Sequence, residues 1–188
     1  MNLRPCTLLL ALSVGCAAAP PPLPPAAPPS PPSPNSGEPT SGRVPAGASG
    51  GVALPVDFHD GYLANSMLVT KEPNNTGLKP GMHLIYVNRV GLDRFKQGGS
   101  MKYPDGTVLV DDVREFSLDD GVYHQGGHEF ITVMVRDSKA YASTGGWGFQ
   151  AWLGGDATKP IVTDSVKQCF TCHVSQNAND YVFSKYLQ

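Results

Sequence analysis

The sequence predicts an α+β domain, built mainly of an antiparallel β-sheet with short helices and closed by a C-terminal helical segment. Three observations lead there. Alternating apolar runs of strand length recur through the middle of the chain. Proline and glycine turn chemistry separates them, as in Lys79-Pro80-Gly81 and Tyr103-Pro104-Asp105-Gly106. The helical patterns cluster after the strands, an order that favours an antiparallel sheet over a parallel one.

Taken in order, residues 58–64 read as a short helix opened by Asp57, and 66–71 as a strand. The run His83-Leu84-Ile85-Tyr86-Val87-Asn88 is a strand, and 90–97 is a helix that stops at Gly98-Gly99. Residues 107–116 open on β-branched side chains and form a strand. Residues 119–127 read as a loop. In 129–136, Phe130, Thr132 and Met134 alternate with Ile131, Val133 and Val135, and in 147–153, Trp147, Phe149, Ala151 and Leu153 alternate with Gly148, Gln150 and Trp152. Residues 165–173 and 179–187 read as two helices.

The chain divides into three parts. Residues 1–16 carry Arg4 and then the short apolar stretch Leu8-Leu9-Leu10-Ala11-Leu12-Ser13-Val14, a secretory signal pattern too short to span a bilayer. Its exit, Leu12-Ser13-Val14-Gly15-Cys16, looks like a bacterial lipobox, which makes Cys16 the lipidation site. Ordinary cleavage after Ala17-Ala18-Ala19 is the alternative, and Pro20 disfavours it. Residues 17–52 hold twelve of the chain's 18 prolines among Ala, Ser and Gly, and so read as an extended tether at roughly 3 Å per residue. A folded domain of ordinary size follows at 53–188. The expected location is therefore outside the cytoplasm, periplasmic or on the cell surface, with membrane contact through the lipid anchor only. A net charge of −2 over 188 residues leaves no basic footprint for nucleic acid.

Chemistry concentrates in Cys169-Phe170-Thr171-Cys172-His173, the C-x-x-C-H pattern of c-type haem attachment. Two thiols add across the haem vinyl groups, and the imidazole that follows lies under the iron as its proximal ligand. Competing uses of the motif fit less well. A redox C-x-x-C wants a βαβ context, which is missing here. A structural zinc site wants four ligands, usually a second paired set, and the domain has no other Cys. The four cysteines then have four fates: Cys6 leaves with the signal, Cys16 takes lipid, and Cys169 and Cys172 take one covalent haem c.

The residues around this motif resemble the cytochrome P-460 family, which includes the cytochromes called c′-beta. The resemblance rests on Trp147-Gly148-Phe149 after Gly145-Gly146, on the C-x-x-C-H motif, and on Asn179-Asp180-Tyr181-Val182-Phe183-Ser184-Lys185-Tyr186. Weaker matches are Leu54-Pro55, Ile85-Tyr86-Val87-Asn88 and Asp105-Gly106-Thr107-Val108-Leu109-Val110. It implies a mostly β fold, a homodimer, and a five-coordinate haem with an open distal face. Members oxidise hydroxylamine or bind nitric oxide and other small gases. In the hydroxylamine-oxidising members a lysine cross-links to the haem, and its position corresponds here to Asp111, which has no amine to offer. The c′-beta members place an apolar aromatic cap there. Asp111 is thus expected to be a distal acid/base or hydrogen-bonding group, or else, with Asp112, part of a solvated strand end.

The expected function is an exported haem protein that binds a small gas or nitrogen-oxide ligand, or performs redox chemistry on a small nitrogen compound. A six-coordinate electron carrier, with Met82, Met101, Met134 or His83 as sixth ligand, is one alternative; a hydroxylamine oxidoreductase is another. The redox partner protein is not readable. Trp147, Phe149 and Trp152 are candidates to line the haem pocket, or plain core. His124 and His128 stand four apart, the spacing of metal ligands on a helix, but Gly126-Gly127 between them argues against a helix.

Overall fold

The structure, a computed structural model, describes residues 51–72 and 78–187. The signal segment, Cys16 and residues 17–50 of the tether lie outside the described residues. Among the described residues, no helix is long and apolar enough to cross a membrane.

Five strands form one antiparallel meander: β1 Tyr62–Val69, β2 Gly81–Val87, β3 Val108–Asp119, β4 Val122–Arg136 and β5 Trp147–Leu153, in the order β1-β2-β3-β4-β5. The predicted α+β class is what the chain adopts. Because side chains alternate along a strand, the sheet has two distinct faces. On one, Ile85, Val87, Leu109, Trp147 and Phe149 form a cluster that also takes in Leu92, Phe95, Tyr103 and Val182. On the other, Val108, Val110, Ile131, Val133 and Trp152 pack under Val52, Leu54 and Phe58 of the N-terminal segment.

Between β2 and β3 lies helix α1, Arg89–Gln97. Asn88 caps it: its Oδ1 accepts from the N–H groups of Gly91 at 3.2 Å and Val108 at 3.1 Å, so one side chain starts the helix and anchors β3. Gly98 ends it at φ 61°, where glycine is favoured.

Three expectations are corrected. Residues 58–64 are not a helix: only Phe58–Asp60 makes a 3-10 turn, and Tyr62 already belongs to β1. Residues 119–127 are not a loop. β3 and β4 continue as a hairpin around Asp120 (φ 44°) and Gly121 (φ 79°), with Ser117 paired to His124 and Phe116 to Gln125. Residues 179–187 are not a helix. Asp180 and Tyr181 take positive φ (51° and 68°), and the extended chain beyond them hydrogen-bonds to β1 through Leu187 N–H to Ala64 O at 3.3 Å.

Candidate functional site

The C-x-x-C-H motif sits on a C-terminal helical stretch of changing pitch. Val166–Phe170 is π-helical, Thr171–His173 is α-helical and Val174–Asn179 is 3-10. A π turn holds an extra residue per turn, a distortion common where side chains must be aimed. Thr171 supports it through Oγ1, which donates to Val166 O at 2.9 Å. Cys169 and Cys172 are free thiols, Cys169 half-buried and Cys172 exposed. Cys169 and Phe170 pack on the first core cluster. Burial pushes the Cys169 thiol above its ordinary value, and Cys172 acts in the same direction.

His173 is held on three sides. Its Nδ1 is 2.6 Å from Tyr181 O, and since a carbonyl only accepts, Nδ1 carries the proton. Phe149 and Phe183 stand against the imidazole with ring centroids 5.0 Å away in each case. No hydrogen bond reaches Nε2 from the described residues. Burial pushes the ring below its ordinary value, partly opposed by the Tyr181 bond, which keeps the imidazole neutral near pH 7. A neutral imidazole with Nδ1–H committed and Nε2 unshared is the form that ligates a metal, and the backbone bond fixes its tautomer.

The carbonyl that orients His173 is itself fixed. Asp180 is fully buried and accepts from Tyr103 N–H at 2.8 Å. Lys102 Nζ lies 2.8 Å from its Oδ1 in ion-pair contact, and Arg136 Nη1 lies 3.8 Å away. Trp147 Nε1 donates to Asp180 O at 2.9 Å. The Tyr181 ring lies against Gly145, where an added Cβ would collide with it. Trp147 and Asp180 are thus the buttress of the His173 loop, a role their sequence positions did not reveal.

Asp111 lies on the haem-motif side of the sheet. Register makes this plain: Phe149 pairs with Met134, Met134 with Leu109, and Leu109 with Val87. The next layer on the same face is Ala151, Thr132, Asp111 and Ile85. Asp111 is therefore about 7 Å along the strand from the row that supports His173. It is no solvated strand end. Its side chain is 25 % exposed and bonded to His83, with Nδ1 at 2.9 Å from Oδ2 and 3.2 Å from Oδ1.

Asp112 points to the opposite face, fully buried, with Arg114 Nε at 2.8 Å and His128 Nδ1 at 2.6 Å. His124 and His128 both belong to β4, and they make no joint site. Among the described residues no group of three or more His, Cys, Asp or Glu is set to hold a metal ion.

The remaining candidates separate by face. Phe149 touches His173, Trp147 is fully buried core, and Trp152 lies on the other side of the sheet. Met101 is exposed, and Met82 alternates away from the motif; Met134 packs on the first cluster. His83 has both ring nitrogens engaged, Nε2 with Lys79 O at 2.9 Å, and so has none for iron.

Comparison with known proteins agrees with this geometry. The family model for cytochrome P460 matches residues 57–184, which takes in every strand and the whole C-x-x-C-H segment. The chain belongs to the cytochrome P460 family. It is accordingly a haem protein. No curated protein matches the sequence closely enough to count as a relative. The residues present fit a haem: two free thiols, an imidazole with one free nitrogen, and aromatic rings for a flat apolar partner.

Proposed function

We propose that this cytochrome P460 protein carries one haem c, bound covalently through Cys169 and Cys172 with His173 as proximal ligand, and that it takes a small ligand such as nitric oxide or a small nitrogen compound on the open side. The observation that carries the reading is the state of His173: Nδ1 tied to Tyr181 O at 2.6 Å, with Nε2 left unshared beside two free thiols. Bound there, the haem would supply a redox-active iron. The protein's own residues do the rest. Tyr181 O holds the imidazole tautomer and strengthens the ring as a donor. Phe149 and Phe183 fix its plane. Asp111 provides a carboxyl on the same side of the sheet for hydrogen bonding or proton transfer. The cross-linking amine is missing at Asp111, which weighs against the hydroxylamine-oxidising chemistry of the lysine-bearing members. The protein is further proposed to be exported, lipid-anchored at Cys16 and dimeric.

Optical spectra of the holoprotein, ferric and dithionite-reduced, test this. A high-spin spectrum that shifts on nitric oxide addition is expected. A low-spin spectrum with sharp reduced bands would replace the reading with an electron carrier, in which Met134, packed on the first cluster, would be the candidate sixth ligand. A strongly red-shifted reduced Soret band would restore a cross-link and hydroxylamine oxidation. No haem band, from a host competent in c-type haem attachment, would overturn the central assignment.

A further inference from the structure

We infer that His83 and Asp111 form a dyad holding one shared proton on the haem-motif side of the sheet, with His83 the positioning residue that lets Asp111 give and take protons. This rests on the reading of Asp111 as a distal group.

Hydrogen-bond accounting carries the argument. Nε2 of His83 is 2.9 Å from Lys79 O, which can only accept, so Nε2 bears a proton in every state of the pair. Nδ1 faces both oxygens of Asp111, at 2.9 Å and 3.2 Å. An ionised carboxylate also only accepts. The resting pair therefore holds a proton between Nδ1 and the carboxyl, on one or the other; once it leaves, two lone pairs face each other, and that repulsion favours its return from solvent.

The burial is uneven in a useful way. His83 is 2 % exposed and Asp111 25 %, so the pair meets the outside only through Asp111. The groups facing it are few. On β4, Thr132 lies opposite Asp111, and Glu129 adds a negative charge near His83. Asp112 adds another near Asp111. On β1, uncharged Met67 lies opposite His83 and Asn65 opposite Ile85. Burial pushes the Asp111 carboxyl up, partly offset by His83. For His83, burial pushes down, but the bond to Asp111 and its charge outweigh it and the net direction is up. Both shifts favour keeping the proton in the pair.

The transfer is simple to balance. A ligand beside Asp111 takes the proton, the bonding electron pair stays on the dyad, and the dyad passes from net charge 0 to −1. Solvent water then returns one proton. Protonation of the dyad by a departing group is the reverse.

The test uses the reduced holoprotein under carbon monoxide, a diamagnetic state, with ¹⁵N-labelled histidine. The His83 ring nitrogens are followed by NMR and the C–O stretch by infrared from pH 5 to 9. The expected result is one common midpoint for the ring and the stretch. His83→Gln moves that midpoint by at least about tenfold in proton concentration, and Asp111→Asn removes the step. A His83 ring that does not change across the step, or a His83→Gln midpoint equal to that of the wild type, overturns the dyad and leaves Asp111 as a distal group on its own. A stretch that is insensitive both to pH and to Asp111→Asn overturns the distal reading itself. If His83→Gln fails to fold, coincidence of the two wild-type titrations decides the matter alone.

Discussion

Replacing Asp180 separates two contributions at the buttress of the His173 loop. Asp180→Ala removes the acceptor of Tyr103 N–H, leaving a buried donor unpaired at about 1–3 kcal/mol. It also puts a Cβ-only side chain at φ 51°, at about 1 kcal/mol. Finally it strips a carboxylate from buried Arg136 and from Lys102, for which about 1–2 kcal/mol is a moderate figure because Lys102 is mostly exposed and Arg136 lies 3.8 Å away. The total is about 3–6 kcal/mol. Asp180→Asn keeps an acceptor and a residue that tolerates left-handed backbone, so it loses only the last of these. A domain of this size shifts by about 3–4 °C per kcal/mol. Thermal unfolding of the holoprotein by circular dichroism should then fall by about 9–24 °C for the alanine variant and about 3–8 °C for the asparagine variant. The iron–histidine stretch of the reduced protein should move in the alanine variant, because Tyr181 O no longer aims His173. Equal and small losses in both variants would refute the claim that the Tyr103 bond and the backbone conformation dominate.

Three further outcomes are expected. Alanine at Cys169 or Cys172 leaves haem attached by one thioether, which shifts the reduced α-band of the pyridine haemochrome, and alanine at both makes all haem extractable by acid acetone. Asp112→Ala destabilises by about 3 kcal/mol, because Arg114 and His128 lose their shared buried acceptor on the face away from the haem motif; carbon monoxide binding should be unchanged. The stability difference between wild type and His83→Gln depends on pH: the folded value of His83 is raised, so its contribution is full below about pH 6.5 and is lost as pH rises through the folded value. Denaturant midpoints measured from pH 5 to 9 read this directly, and a difference that grows with pH would contradict the sign.

Much of the sheet was legible because a half-buried strand repeats every two residues, as 129–136 and 147–153 do. The hairpin tip was missed although its turn signal, Asp120-Gly121, was present. The tip lies beyond the core, its residues are exposed on both faces, and no apolar alternation marks it. Residues 179–187 imitate a helix by spacing, but Tyr181 packs on Gly145, Phe183 on His173, and the backbone pairs with β1. Tertiary contacts there override local pattern. The C-x-x-C-H motif was readable since its chemistry demands fixed spacing. His83 and Asp111 are 28 residues apart, and only the pairing of β2 with β3 joins them.

That pairing also explains why two adjacent aspartates do different work. Asp111 and Asp112 have nearly the same sequence environment, yet strand alternation sends one to the haem-motif side and the other to the far side. Each finds its own histidine: His83 from β2 for Asp111, His128 from β4 for Asp112. A slip of one residue in β3 would exchange the two carboxyls, separate both pairs, and turn Val110 toward the motif in place of Asp111. The apolar rows guard against this, since the same slip would carry Leu109 and Val113 out of the first face and Val108 and Val110 out of the second. The core therefore sets the register, and the register decides which carboxyl lies on the haem-motif side.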